Sequence, residues 1–220
     1  MGNEILVMKF GGASISTIEQ LGKAARRVKE RLDEFSQIVV VASAMGSMTD
    51  HLQEVARQVN PTPPRREEDM LLTAGERISI SLMAMALSAS GVDAVSLTGS
   101  QSGIITTEDH TGALITDMKP IRIPPLLEQG KVVVVAGFQG VSAQKEITTL
   151  GRGGSDTTAV ALAVALGAKQ VEFYKDVEGV FESDPKDNPK AAWIPQLSYE
   201  EALALHKETN KSVIHPRAIH

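Results

Sequence analysis

The six residues Gly151 to Asp156, GRGGSD, place a cation, an anion and a bare backbone side by side. Glycines open such a turn sterically, and the free N–H groups at the start of a following helix attract an anion. The planar fork of Arg152 grips a carboxylate through two parallel hydrogen bonds. Ser155 or Asp156 can cap the helix, and a plain N-cap accounts equally well for Asp156. Three other segments have a similar character. Lys9-Phe10-Gly11-Gly12 joins a mobile ammonium to a backbone that phosphate can approach closely, and it also reads as an ordinary tight turn. Ser43 to Asp50, SAMGSMTD, offers the hydroxyls of Ser43 and Thr49, with Thr49 or Asp50 serving equally well as an N-cap. In LTAGERIS, Leu72 to Ser79, Glu76 interrupts an apolar helical stretch. Gly75 before it costs a helix about 1 kcal/mol relative to alanine and so signals a close neighbour. A carboxylate there either faces solvent or takes an ammonium.

These segments fall where strands hand over to loops and helices. The runs EILVMKF, QIVVVASA, VDAVSLTG, KVVVVAGF and QVEFYKD are short, β-branched and without strict alternation, as strands buried on both faces are. Between them, Ile18, Leu21, Ala25, Val28, Leu32 and Phe35 recur at helical spacing, with Ser16 and Glu19 as a capping-box pair. Further helices are expected over 67–90, stopped by Gly91, over 156–166, stopped by Gly167, and from a Ser198/Glu201 capping box onward. Residues 60–69, NPTPPRREED, read as a solvated loop, and 103–123 as small hairpins forming a flap beside the main sheet. Strands alternating with helices indicate an α/β domain with a mostly parallel sheet, whose ligands lie beyond the carboxyl ends of the strands.

Several chemistries are excluded. A net charge of -5, from 22 basic and 27 acidic side chains in 220 residues, argues against a general nucleic-acid or membrane-surface binder. The chain contains no cysteine, so disulfides and thiolate catalysis are out, and a soluble protein of the reducing cytosol is expected. No Walker A, G-x-G-x-x-G, H-E-x-x-H or G-x-S-x-G pattern occurs. The five histidines have no ligand-like spacing. The cluster Lys175, Asp176, Asp184 and Lys186 fails the calcium-loop pattern, so no protein-held metal is expected. What remains is phosphate chemistry on an α/β sheet without a P-loop.

Taken in order, KFGG, SAMG with the following TD, MLLTAGER, TTLGRGGSDTTAVALA, YKDVEGVF and LSYEEAL with HPRA resemble the catalytic domain of the aspartate kinases of the amino-acid kinase family. The likeness runs through nearly the whole chain. It implies a three-layer αβα sandwich and transfer of the γ-phosphoryl group of ATP to the β-carboxylate of L-aspartate, the first step toward lysine, threonine and methionine. Under it, Arg152, Gly153, Gly154 and Ser155 receive carboxylate, Glu76 the ammonium, and Ser43 and Thr49 add hydroxyl contacts. Lys9 and Asp156 are the catalytic pair, with Lys9 on the transferring phosphoryl and Asp156 orienting it. Lys9, Phe10, Gly11, Gly12, Lys175, Asp176, Phe181, Lys186 and Lys211 line the ATP site, and Mg²⁺ arrives with the nucleotide. A homo-oligomer, a dimer, is implied as well. A nucleotide- and amino-acid-binding module without turnover is the alternative.

The chain departs from the family pattern at four places. Ala13 stands where threonine is usual, Lys175 where threonine or serine is usual, and Lys186 where arginine is usual. Aligned on His215-Pro216, Asn210, Lys211 and Ser212 replace the usual Gly-Ala-Lys, which displaces a nucleotide-contacting lysine by one position or requires a local shift. The resemblance also leads us to expect a catalytic domain over 1–220 that stops before the family's final strand and its ACT regulatory domains.

Overall fold

The computed structural model describes residues 4–177, 179–183, 188–209 and 214–219. In chain order the elements are β1 (Ile5–Phe10), α1 (Ile18–Arg31), β2 (Gln37–Ala42), α2 (Met48–Val59), α3 (Arg65–Ala89), β3 (Ala94–Leu97), β4 (Ile104–Thr106), β5 (Ile115–Met118) and α4 (Ile123–Glu128). They continue with β6 (Val132–Ala136), β7 (Gln139–Ser142), β8 (Ile147–Thr149), α5 (Gly154–Leu166), β9 (Gln170–Tyr174), β10 (Val180–Phe181), β11 (Trp193–Ile194) and α6 (Tyr199–Thr209).

The five expected strands form one sheet in the order β3-β6-β2-β1-β9, and every pairing is parallel. Their apolar runs are continuous because both faces are covered. Leu6, Met8 and Phe10 of β1 join Val40 and Val134 on one face, against Leu21 and Val28 of α1 and Ile80, Met83 and Leu87 of α3. Val7, Val39 and Val133 point the other way, against Ile123 and Leu127 of α4 and Ala159 and Leu162 of α5. The two-residue strand period thus feeds two separate cores, one on each side of the sheet, and the αβα sandwich follows. α3 is long and apolar enough to cross a membrane by length and composition, but here it is the core helix of the first face.

The flap is larger than 103–123. β4 and β5 pair there, but β7 and β8 join them in a second, four-stranded sheet ordered β5-β4-β7-β8. Helix boundaries also shift. The prolines end at Pro64, so residues 65–69 of the expected loop are the first turns of α3. The reciprocal cap of α1 is made by Thr17 and Gln20, one residue beyond the expected pair, because Thr17 holds the extended backbone a cap requires. Ser198 and Glu201 cap α6 as expected.

Packing on the second face is what holds α5, and therefore its N-terminus, in place. Leu162→Ala should lower the unfolding free energy by about 2–5 kcal/mol in urea titrations, whereas Val164→Ala, on the exposed side of the same helix, should change it by less than about 0.5 kcal/mol.

Candidate active site

Because the central strands are parallel, their carboxyl ends come out at one edge of the sheet. Gly12 after β1, Ser43 and Ala44 after β2, Phe138 after β6 and Lys175 after β9 converge there on a cleft of about 850 Å³. Strand alternation decides which side chains enter it. Lys9 lies on the Val7 side of β1 and reaches toward the start of α5, where its Nζ meets Asp156 Oδ1 at 2.7 Å. Phe10, one residue later, turns to the opposite core and stacks on Tyr174 with centroids 4.6 Å apart, so its side chain does not line the cleft.

Asp156 is the meeting point of the cleft floor. Lys175 Nζ lies 2.8 Å from its Oδ2, and the His215 backbone N–H donates to the same oxygen at 3.1 Å. Burial pushes the Lys9 ammonium below its ordinary pKa despite the attraction of Asp156. Burial pushes the Asp156 carboxyl the other way, but the Lys9 charge and the bonds from Lys175 and Lys9 outweigh it and hold the group below the usual carboxylate range. Asp156 is therefore anionic at neutral pH and has no tendency to act as a base.

Asp156 is not the helix cap. α5 begins at Gly154 and its N-cap is Gly153, in the left-handed region at φ 74 with no side-chain cap, so Ser155 and Asp156 both sit inside the first turn. Gly153 is required twice over, by that φ and because a Cβ there would collide with the His215 ring. The Gly154 N–H donates to Gly151 O at 3.0 Å, and without a side-chain cap the rest of the first turn, with the positive end of the helix dipole, faces the cleft, where Arg152 is exposed at the rim.

Glu76 lines the cleft from α3 and is 2 % exposed. Its Oε1 accepts from the Ala44 N–H at 3.0 Å, while Oε2 has no partner among the described residues. Burial pushes this carboxyl up to about 7. The neighbour signalled by Gly75 is Ala44, whose Cβ would lie 2.9 Å from a Cβ at Gly75. Ser43 and Thr49 line the same region. Thr49 and Asp50 belong to the first turn of α2, whose N-cap position is Ser47, so neither is the cap.

The cleft therefore brings together Lys9, Gly12, Ser43, Thr49 and Glu76 with Arg152 through Asp156 and Lys175. Gly11 lies beside it, its N–H donating to Tyr174 O at 3.1 Å. Asp176 and Phe181 do not line it, since the chain after β9 leaves the cleft for the small β10–β11 pair. Lys186 and Lys211 lie outside the described residues. Among the described residues no group of three or more His, Asp or Glu side chains is arranged to hold a metal ion.

Sequence reasoning missed part of the wall. Thr111 and Phe138 both line the cleft with φ of 66 and 67, a backbone that costs non-glycine residues on the order of 1–3 kcal/mol and persists only where the surroundings enforce it. Nothing local in the sequence marks them. Asp69, fully buried beneath Thr111, was legible in one respect: it lies seven residues before Glu76, on the same helical face.

A model of the amino acid kinase family matches residues 4–220. The chain belongs to the amino acid kinase family. Within it, the chain is 50% identical over 211 residues to an aspartokinase of Corynebacterium efficiens, covering 96% of this chain and 50% of that protein. An aspartokinase of Geobacillus stearothermophilus is 50% identical over 215 residues, 98% of this chain and 53% of the relative. The chain thus spans about half the length of the curated relatives it matches. The crystal structure of aspartate kinase from Synechocystis superposes with a TM-score of 0.84 at 44% identity, covering 98% of this chain and 35% of that one. E. coli aspartokinase III, solved in complex with aspartate and ADP, shares the fold with a TM-score of 0.84 at 24% identity, covering 98% and 59%. The amino acid kinase fold thus frames the Lys9–Asp156 pair and the buried Glu76.

The raised pKa of Glu76 has a stability consequence whose sign is fixed. A folded-state pKa above the unfolded value favours the fold while the group is protonated, and that advantage is lost as pH rises from the ordinary carboxyl value of 4.5 through about 7. The ligand-free chain should lose about 3 kcal/mol from this group between pH 5 and pH 8, and Glu76→Gln should remove that part of the loss. Denaturant unfolding at the two pH values checks this; an identical pH dependence in both proteins would count against it.

Proposed function

We propose that the chain carries the catalytic site of an aspartate kinase, transferring the γ-phosphoryl group of ATP to the β-carboxylate of L-aspartate. One observation carries this reading: a single cleft holds a buried carboxylate with an oxygen that has no partner among the described residues, a rim arginine beside an uncapped helix N-terminus, and two lysines on one aspartate. An α-amino dicarboxylate needs an anion for its ammonium and cations for its carboxylates. Glu76 meets the first need, and Arg152 with the first turn of α5 meets the second. The relatives named aspartokinase, at half identity over nearly the whole chain, support the same choice of acceptor.

The chemistry asks little of the protein beyond placement. The β-carboxylate is already ionised at neutral pH, so it attacks the γ-phosphorus without surrendering a proton. A new P–O bond forms to the carboxylate oxygen, the bond from the γ-phosphorus to the bridging oxygen breaks, and ADP leaves with the electron pair. Negative charge grows on the bridging and peripheral phosphoryl oxygens, and the ammonium of Lys9, held by Asp156, offsets it. Lys175 brings a second ammonium to the same carboxylate from the end of β9. Mg²⁺ enters as part of the nucleotide substrate. The reading includes a cytoplasmic protein that works as a homo-oligomer.

Aspartate-dependent ADP release, with the acyl phosphate trapped as its hydroxamate, tests the activity. Lys9→Ala should lower kcat by about 10²–10³-fold with a smaller change in KM for aspartate. Arg152→Ala should raise KM for aspartate about tenfold or more and leave KM for ATP nearly unchanged. Wild-type kinetics in both variants would refute the two roles.

A further inference from the structure

We propose that Asp69 is a positioning residue that sets the Arg152 loop, and through it the acceptor-carboxylate end of the cleft. The inference rests on the aspartate kinase reading above. Asp69 is fully buried on α3, yet among the described residues its side chain bonds to His110, Thr111 and Thr149, all outside that helix. Its Oδ1 accepts from the Thr149 hydroxyl at 2.6 Å, both oxygens lie 3.1 Å from the Thr111 N–H, and Oδ2 lies 2.8 Å from His110 Nδ1. A buried carboxylate is tolerated only with such a set of donors, so the flap must be seated for Asp69 to remain where it is.

Both directly bonded threonines line the cleft, and both lead to the arginine loop. Thr149 ends β8, and the chain passes from it through Leu150 and Gly151 to Arg152. Its carbonyl also accepts from the Ala113 N–H at 2.9 Å, which pins β8 to the flap turn. Thr111 reaches the loop through space: its carbonyl oxygen lies 3.2 Å from where a Cβ on Gly151 would be. The left-handed backbone of Thr111, φ 66, points its N–H at Asp69 while its carbonyl abuts Gly151. Asp69 thus holds the loop from two sides, once along the chain and once across the flap turn.

The placement on α3 adds a consequence for specificity. Glu76 lies seven residues further along the same helix, two turns away on nearly the same face. One rigid element therefore carries the ammonium partner directly and governs the carboxylate partner through Asp69. The distance between the two ends of the acceptor site is set by α3, which favours a dicarboxylate of one length over its one-methylene homologue.

The test uses the full chain with Asp69→Asn, Thr149→Val and Thr149→Ser, and compares L-aspartate with L-glutamate. Asparagine presents an NH₂ group where donors already point, and valine removes the hydroxyl while keeping the shape. We expect KM for aspartate to rise about tenfold in Asp69→Asn and Thr149→Val, with KM for ATP within about twofold of wild type and the aspartate preference over glutamate reduced. Thr149→Ser, which keeps the hydroxyl, should restore aspartate KM to near wild type. Thermal unfolding of each variant separates this from a merely structural role: a lowered melting temperature with unchanged aspartate KM and unchanged preference overturns the proposal. Should Asp69→Asn fail to fold, the valine and serine variants decide by the same criterion. Absence of aspartate-dependent transfer in the unmodified chain overturns the aspartate kinase reading and this inference with it. Transfer intact there, with aspartate KM unmoved in the variants, overturns the role of Asp69 alone.

Discussion

The buried pair of Lys9 and Asp156 is the constraint around which the rest of the molecule is arranged. Two charges, each with about 5% of its surface exposed or less, cannot sit in a protein interior unless they meet, and removing either would strand the other. Lys9 is the penultimate residue of a central strand, and Asp156 lies in the first turn of the helix covering that strand. Their contact therefore ties the end of β1 to the N-terminus of α5 at the edge where the parallel strands open. Lys175, the residue after the neighbouring strand β9, closes the group. A net positive charge remains on the cleft floor, which has little solvent to screen it and suits an anionic ligand.

The opposite wall follows a different logic. α3 offers two buried carboxylates, Asp69 and Glu76, and the structure treats them differently. Asp69 is saturated by donors from the flap, whereas Glu76 keeps one oxygen unpartnered among the described residues and a pKa pushed up to about 7. A saturated carboxylate holds structure, and a half-satisfied one keeps the capacity to accept a further hydrogen bond. The same helix thus secures the flap and presents an anion to the cleft. The left-handed backbones of Thr111 and Phe138 fall at the seam between these two tasks. Strained backbone of this kind concentrates where the surroundings over-determine it.

Much of this was legible along the chain. The five apolar runs became the five central strands, since burial on both faces leaves a continuous hydrophobic signature that needs no partner information. The clusters around Lys9 and Ser43 meet because parallel strands deliver their carboxyl ends to a common edge, where Glu76 from α3 and Arg152 from the turn before α5 join them. The β7–β8 hairpin escaped notice, as QGVS and ITT are short and half polar, and their pairing becomes favourable only against α3 and β4. Reading KFGG as a unit also placed Phe10 in the site, although strand alternation sends consecutive residues to opposite faces.

Sequence alone determined the sheet, the covering helices α1, α3 and α5 and the chemical character of the cleft, because these depend on local periodicity and on residue types at strand ends; the six-residue, proline-containing α4 is too short to show a period and was not foreseen. Only the tertiary structure decided which charges are paired. Asp69 reads in sequence as one more solvated acid in a proline-rich loop, yet it is fully buried, held by donors 41, 42 and 80 positions away. Asp156 reads locally as a helix cap and, through the family resemblance, as the residue that orients Lys9; the fold makes it the partner of both Lys9 and Lys175. Whether a carboxylate is solvated, capped or buried in an ion pair depends on which distant groups reach it, and only the packed fold brings those groups together.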